Sequence, residues 1–420
     1  MRTDHTHAPG LTSWVASANI PGCDFPIQNL PLGIFSTPGT APRGGVAIGD
    51  QVFDISAAMA GGLVRGAAAE AAAGPSLRPL MALGRAASAE LRHILSALLA
   101  EGAHPHPELL HPQSAVRMHL PTEVRNFSDF MASYDHCHRL GAARDPKNPL
   151  PPAFHHLPVA YHSRASSVRP SGSDVRRPWG QYFRDGEIVF APTGAMDFEL
   201  ELGFWIAGEN TQGEPTPIGL ADQRLFGFCL LNDWSVRDIQ RYEMPPLGPF
   251  LGKSFHTSVS PWVVTAEALA PFATDLPPRE AGAPACPAHL ASGRPDGLAI
   301  AMRAALQTPA MTAPHVITTA PFRNMYWTPA QMVAHHTSNG CNLLPGDLLG
   351  SGTVSGPAEG AEACIAEILL RGAIALPNGE TRRYLEDGDS IIFTGTAEAP
   401  GATSIGFGEC RGTILPAHKA

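Results

Sequence analysis

Along most of the chain, apolar residues recur in short runs broken by Gly and Pro rather than in long helical stripes. Residues 1–50 read as extended pieces such as Phe25-Pro26-Ile27 and Gly33-Ile34-Phe35. From Ala86 to Glu101 the apolar positions fall at helical spacing, and the Ala run at 67–73 reads as a plain helix or loop. The alternating prolines of 103–113 predict an extended, solvated linker, and His104, His106 and His111 within it are read as solvated rather than as a metal tract. That linker divides the chain into a small domain, 1–115, and a larger one, 116–420. Beyond it the texture is of strands with turn signals between them: Ile188–Phe190, Phe198–Ile206, Gly227–Leu231, Trp262–Val264 and Ile391–Thr394. A helix is predicted over 328–339, with Thr328 as its cap and Pro329 at its first position. The sum is a β-rich α+β chain with a small first domain and a large second one.

Composition narrows the function classes. The chain has 420 residues, 44% hydrophobic and 16% charged, enough to bury a sizeable core. A net charge of -9 argues against nucleic-acid partners, which need clustered Lys and Arg. No apolar run approaches the roughly 20 residues that span a bilayer, and no signal-peptide core follows the first residues. The seven scattered cysteines contain no Cys-x-x-Cys pair, so a disulfide framework or structural zinc site is not expected, and a reducing cytoplasm is.

Four segments carry candidate chemistry. In Asp197-Phe198-Glu199-Leu200-Glu201, strand alternation puts the three carboxylates on one face, either simply solvated or set around a hard divalent cation. The apolar strand ending at Asn232-Asp233 runs into a helical stretch, so Asp233 is an N-cap or a ligand; Arg237 and Gln240, three apart, share a face beyond it. Asn126-Phe127-Ser128-Asp129-Phe130 is followed by His136, and the Gly-bounded loop Gly248–Phe255 presents Lys253. Cys137 beside His136 has no base positioned for it and is not read as a nucleophile.

Taken together these blocks resemble the fumarylacetoacetate hydrolase family. Further similar blocks are Asp24–Pro31, Leu157–Ser167, Pro246–Phe255, Pro345–Leu349, Ser351-Gly352-Thr353 and Ile405–Gly408, covering nearly the whole chain. The resemblance implies a small SH3-like N-terminal barrel followed by a β catalytic domain, usually paired as a homodimer. It also implies hydrolysis of a carbon–carbon bond in a small β-diketo acid such as fumarylacetoacetate, a step of tyrosine and phenylalanine catabolism. Carried over, the ligands of Ca²⁺ or Mg²⁺ are Asp129, Glu199, Glu201 and Asp233, with a second cation near Asp233, Lys253 and Thr257. His136 is the base, Glu367 orients it, and Arg237, Gln240 and Lys253 face the substrate, with Arg144 and Thr353 near its far end. Two family tyrosines are replaced here by Met131 and Met244, which keeps open a different acylpyruvate or diketo acid as substrate, beside the wider family's decarboxylases and isomerases.

Overall fold

The computed structural model describes residues 3–419. Strands Leu32–Ser36, Arg43–Ile48 and Gln51–Asp54 form an antiparallel meander. Leu110–Pro112 joins it beside Gln51–Asp54, and Arg117–His119 beside Leu32–Ser36, completing a curled five-stranded sheet where a small barrel was expected. Helix Ala67–Ala73 packs close against this sheet because Gly44 lacks a side chain: a Cβ there would lie 1.7 Å from the Ala72 carbonyl oxygen. Helix Arg85–Leu99 buries Leu91, Leu95 and Leu99, spaced four apart.

Two expectations change here. The segment 103–113 is not wholly a solvated linker, since Leu110–Pro112 is an edge strand, the place where a proline's missing N–H costs no ladder bond. Because Arg117–His119 pairs with Leu32–Ser36, the first domain runs past the expected boundary at 115. His111 lies 3.5 Å from Asp54, and among the described residues none of His104, His106 and His111 belongs to a metal-capable cluster.

The catalytic domain is built on a mixed sheet. Its order is Ala160–Ser163, Phe127–Phe130, Leu348–Gly350, Leu200–Ile206, Leu225–Asp233, Thr257–Val259 and Val168–Pro170, with Val264–Thr265 also on Leu225–Asp233. The two central long strands are buried along their whole length, which explains near-continuous apolar runs such as Phe226–Leu231. On one side, Trp205, Phe226, Leu231 and Leu348 pack into the core of the N-terminal domain with Leu91 and Leu95. On the other, Leu200, Leu202, Phe204 and Leu230 share a core with a second sheet, whose long strands are Ile300–Gln307, Ser390–Ala397 and Ile405–Leu415. The Asp24–Pro31 and Ile405–Gly408 blocks meet where the domains join: the Asn29 amide donates to the carbonyls of Asp24 (2.7 Å) and Gly406 (2.8 Å). The helix predicted over 328–339 is Pro329–Thr337, with Thr328 in a reciprocal cap with Gln331.

Candidate active site

Sheet order explains the site. Neighbouring strands lie about 4.8 Å apart, so acids at one end of adjacent strands converge without help from loops. Asp129 stands opposite both Tyr161 and Gly350 in the ladder, and Asp233 opposite Thr257; Glu201 sits near the start of the strand between them. Asp129, Glu199 and Asp233 each present a carboxylate oxygen within 4.8 Å of the others, all buried. Glu201 joins them across Gly350, where an added Cβ would lie 2.5 Å from Asp129 Oδ1 and 2.9 Å from Glu201 Oε2. Asp129 Oδ1 and Glu201 Oε1 are buried with no hydrogen-bond partner. Buried, partnerless carboxylate oxygens aimed into an all-oxygen cluster fit a hard divalent cation.

Around the acids lies a ring of donors. Lys253 Nζ is 2.5 Å from Glu199 and 3.1 Å from Asp233, and the Tyr161 hydroxyl is shared between Asp129 (2.8 Å) and Asp233 (2.9 Å). Thr257 Oγ1 donates to Asp233 Oδ1 at 2.8 Å. A protonated ammonium has no lone pair, so beside the second cation expected near Asp233, Lys253 and Thr257 the Lys253 side chain serves as a counter-ion to Glu199 and Asp233. Arg237 donates through Nε to Asp197 (2.7 Å), holds Glu199 with Nη1 (2.7 Å) and reaches Gln240 Oε1 (3.1 Å), leaving Nη2 buried and unpaired.

Asp197 does not share a face with the other acids as strand alternation predicted. The strand breaks between Asp197 and Leu200, and Asp197 turns to accept the backbone N–H groups of Ile365 (2.7 Å) and Ala366 (3.0 Å). It thereby fixes the short helix Ile365–Ile368 that carries Glu367, a role the sequence pattern did not signal. Asp233 is no helix cap either, since Val236 precedes helix Arg237–Glu243.

His136 lies in the first turn of helix Tyr134–Arg144, whose cap Ser133 accepts the His136 backbone N–H. His136 Nδ1 is 3.3 Å from Glu367 Oε2, within ion-pair reach although not aligned as a hydrogen bond. Ser355 Oγ donates to the same carboxylate oxygen, and Arg139 stands 3.6 Å from the other. Burial acts to raise the Glu367 carboxyl, but His136, Ser355 and Arg139 outweigh it and hold it below the usual range. Arg139, one turn beyond His136, is thus the arginine that this helix brings to the pair. Arg144 is exposed in the last turn, eight residues and roughly 12 Å along the axis from His136. Of the remaining pocket residues, Thr353 is buried beside Gly352, whose N–H donates to Glu201 (3.1 Å). Met131 is half-buried against the core, and Met244, at the end of helix Arg237–Glu243, is 41% exposed.

The buried acids perturb one another strongly. Burial, then repulsion from Asp233, pushes Asp129 up to about 7, and burial with its acidic neighbours also raises Glu201 well above the usual carboxylate range. Glu199 goes the other way: burial opposes ionisation, but Lys253 and Arg237 overcome it. A carboxyl raised in the folded state contributes stability below its unfolded value near 4 and loses it as pH rises through the folded value. Metal-free protein is therefore expected to melt at progressively lower temperature from pH 5 to pH 8. Added Ca²⁺ or Mg²⁺ displaces those protons, so its stabilisation should be larger at pH 8 than at pH 5.5, as read by melting curves with and without EDTA.

With the geometry established, comparison with known proteins gives a decisive match. The profile described as fumarylacetoacetate hydrolase C-terminal matches residues 125–415, and that described as fumarylacetoacetase N-terminal matches residues 28–121. This chain belongs to the fumarylacetoacetate hydrolase family. Fumarylacetoacetase from Caenorhabditis elegans is 45% identical over 409 residues, covering 94% of this chain and 97% of its own length. The Homo sapiens enzyme of that name is 43% identical with the same coverage of each chain. Among solved structures, a putative HpcE protein from Mycobacterium smegmatis superposes with a TM-score of 0.53 at 17% identity, covering 92% of this chain and 99% of its own. Maleylpyruvate hydrolase from Sphingobium sp. SYK-6, in complex with manganese(II) and pyruvate, gives 0.51 at 17%, covering 93% and 100%. In this member of the fumarylacetoacetate hydrolase family the N-terminal match ends at residue 121 and the C-terminal match begins at 125.

Proposed function

We propose that this hydrolase cleaves fumarylacetoacetate to fumarate and acetoacetate, water supplying the elements added across the carbon–carbon bond. The observation that carries the reading is a buried His136–Glu367 pair beside the buried carboxylates Asp129, Glu199, Glu201 and Asp233, the backbone bridge between Glu199 and Cys364 linking the two groups, in a chain closely similar to fumarylacetoacetases. Glu367 faces Nδ1 of His136, which leaves Nε2 free to take a proton from water and later deliver it to the departing carbon. Glu367 stabilises the imidazolium formed in between. Asp129, Glu199, Glu201 and Asp233 would hold a divalent cation, which when bound polarises a carbonyl oxygen and offsets its developing negative charge. Ca²⁺ or Mg²⁺ suits an all-carboxylate set, and the manganese in the maleylpyruvate hydrolase complex supports a metal at the family's site. The unpaired Nη2 of Arg237, the Gln240 amide and the Lys253 ammonium supply donors for substrate oxygens.

The test is loss of the diketone absorbance of fumarylacetoacetate with purified protein. Turnover is expected with Mg²⁺ or Ca²⁺, abolished by EDTA and restored by the ion. Turnover confined to another acylpyruvate would transfer the function to that substrate and make Met131 and Met244 the residues to change. A homodimer also belongs to the proposal. Hairpin strands Trp179–Arg184 and Glu187–Pro192 expose Phe183, Ile188 and Phe190; Phe183 meets Tyr242 edge-on at 5.2 Å, and Leu247 and Phe250 stand exposed on the loop beyond that helix. An apolar face of this kind is a favoured protein contact. Phe190→Asp is expected to shift sedimentation from dimer to monomer. The buried thiols Cys137, Cys229, Cys364 and Cys410 support the proposed reducing, cytoplasmic setting.

A further inference from the structure

Apart from the carboxylate cluster, the first residues of the chain meet the outer face of helix Arg85–Leu99. Asp4, His5 and His93 each place one ligand-type atom within 4.8 Å of the other two. His93 Nε2 is 2.7 Å from Asp4 Oδ2, and the His5 and His93 rings lie 5.1 Å apart, tilted by 34°. We propose that Asp4, His5 and His93 form a second metal site, for a borderline transition ion such as Zn²⁺, which clips the N-terminal turn to this helix.

The donor set selects the ion. Two imidazoles and one carboxylate, open to water at a fourth position, are a zinc-type set, whereas the site around Asp129 offers oxygen alone. Two ligands about 2.0 Å from a tetrahedral ion stand roughly 3.3 Å apart. The 2.7 Å contact between Asp4 and His93 therefore needs only a small opening.

The elements carrying the three residues are already fixed. Asp4 Oδ1 accepts the Thr6 backbone N–H (2.9 Å), and His7 Nδ1 accepts the Asp4 N–H (3.0 Å) while its Nε2 meets the Glu267 carbonyl (2.9 Å). Asp4 Oδ2 is left to face His93. Buried Thr6 is gripped through its hydroxyl by Arg92 (2.9 Å), which also binds the carbonyls of Asn29 and Gln28. Since Arg92 precedes His93 on the helix, the same anchor that holds the turn sets the position of His93 beneath it. Ligands on rigid, independently anchored elements lose little freedom on binding.

The experiment uses untagged full-length protein with Mg²⁺ in excess at the carboxylate cluster. Zinc is titrated calorimetrically into the wild type and into the His5→Ala/His93→Ala double variant. Both side chains are exposed, so the zinc-free melting temperature and the hydrolase activity are expected to be unchanged. One zinc-binding event, weakened at least tenfold in the double variant, is the expected result, together with a zinc-induced rise in melting temperature that the variant lacks. Co²⁺ added in place of zinc should give visible bands of a nitrogen- and oxygen-ligated ion, absent from the variant. Equal zinc binding by both proteins, or cobalt bands of thiolate ligation, would overturn the proposal.

Discussion

His136→Ala is expected to lower kcat about 10³- to 10⁴-fold while leaving metal affinity within a factor of two or so. The separation follows from position: His136 stands on helix Tyr134–Arg144 and faces Glu367, while the proposed metal ligands Asp129, Glu199, Glu201 and Asp233 belong to the sheet and the approach to its strands. Glu367→Gln should behave similarly on kcat, because an amide in that place removes the charge that stabilises the imidazolium. Steady-state kinetics on fumarylacetoacetate and calorimetric titration with Mg²⁺ read the two quantities separately. A His136→Ala protein that keeps more than a tenth of wild-type turnover would remove His136 from the role of base.

The second large effect comes from a residue with no functional group. Gly350→Ala is expected to weaken metal binding by roughly 100-fold or more, and activity with it, while the fold persists. The added Cβ would sit 2.5 Å from Asp129 Oδ1 and 2.9 Å from Glu201 Oε2, closer than carbon and oxygen can approach. Both carboxylates are buried on strands that flank the Gly350 strand, so the two acids must splay or the ladder must shift. Overpacking of this kind costs about 1–3 kcal/mol of stability. Unchanged Mg²⁺ affinity in Gly350→Ala would show that Asp129 and Glu201 do not bind one ion together.

These two cases show what was and was not legible in the sequence. The carboxylates and His136 announced themselves through blocks similar to a known family, and the structure brings them together. Gly350 lay between two recognised blocks and carried no chemical signal, because its importance is a volume left empty for two acids on different strands. Tyr161 lies in the Leu157–Ser167 block without a pattern that reveals its role; only the pairing of its strand with Asp129 puts its hydroxyl between Asp129 and Asp233. Arg144 lies in the last turn of its helix, two turns beyond His136, while the contact of Arg139 with Glu367 is one the sequence did not signal. Asp197 matched strand alternation in the sequence and broke it in the fold, since a strand interruption turned its side chain toward Arg237 and Ile365.

By itself, the sequence determined the β-rich class and the helices Arg85–Leu99 and Pro329–Thr337, while its resemblance to a known family singled out the acids and His136 as candidates. These are local properties: periodicity, capping and the chemistry of side chains act within a few residues. The end of the first domain, the joining of Asn29 to Gly406, the empty volume at Gly350 and the meeting of Asp4 with His93 were decided only by the tertiary structure. Each depends on segments far apart in the chain whose distance is set by strand order and helix packing, and no local pattern encodes that distance.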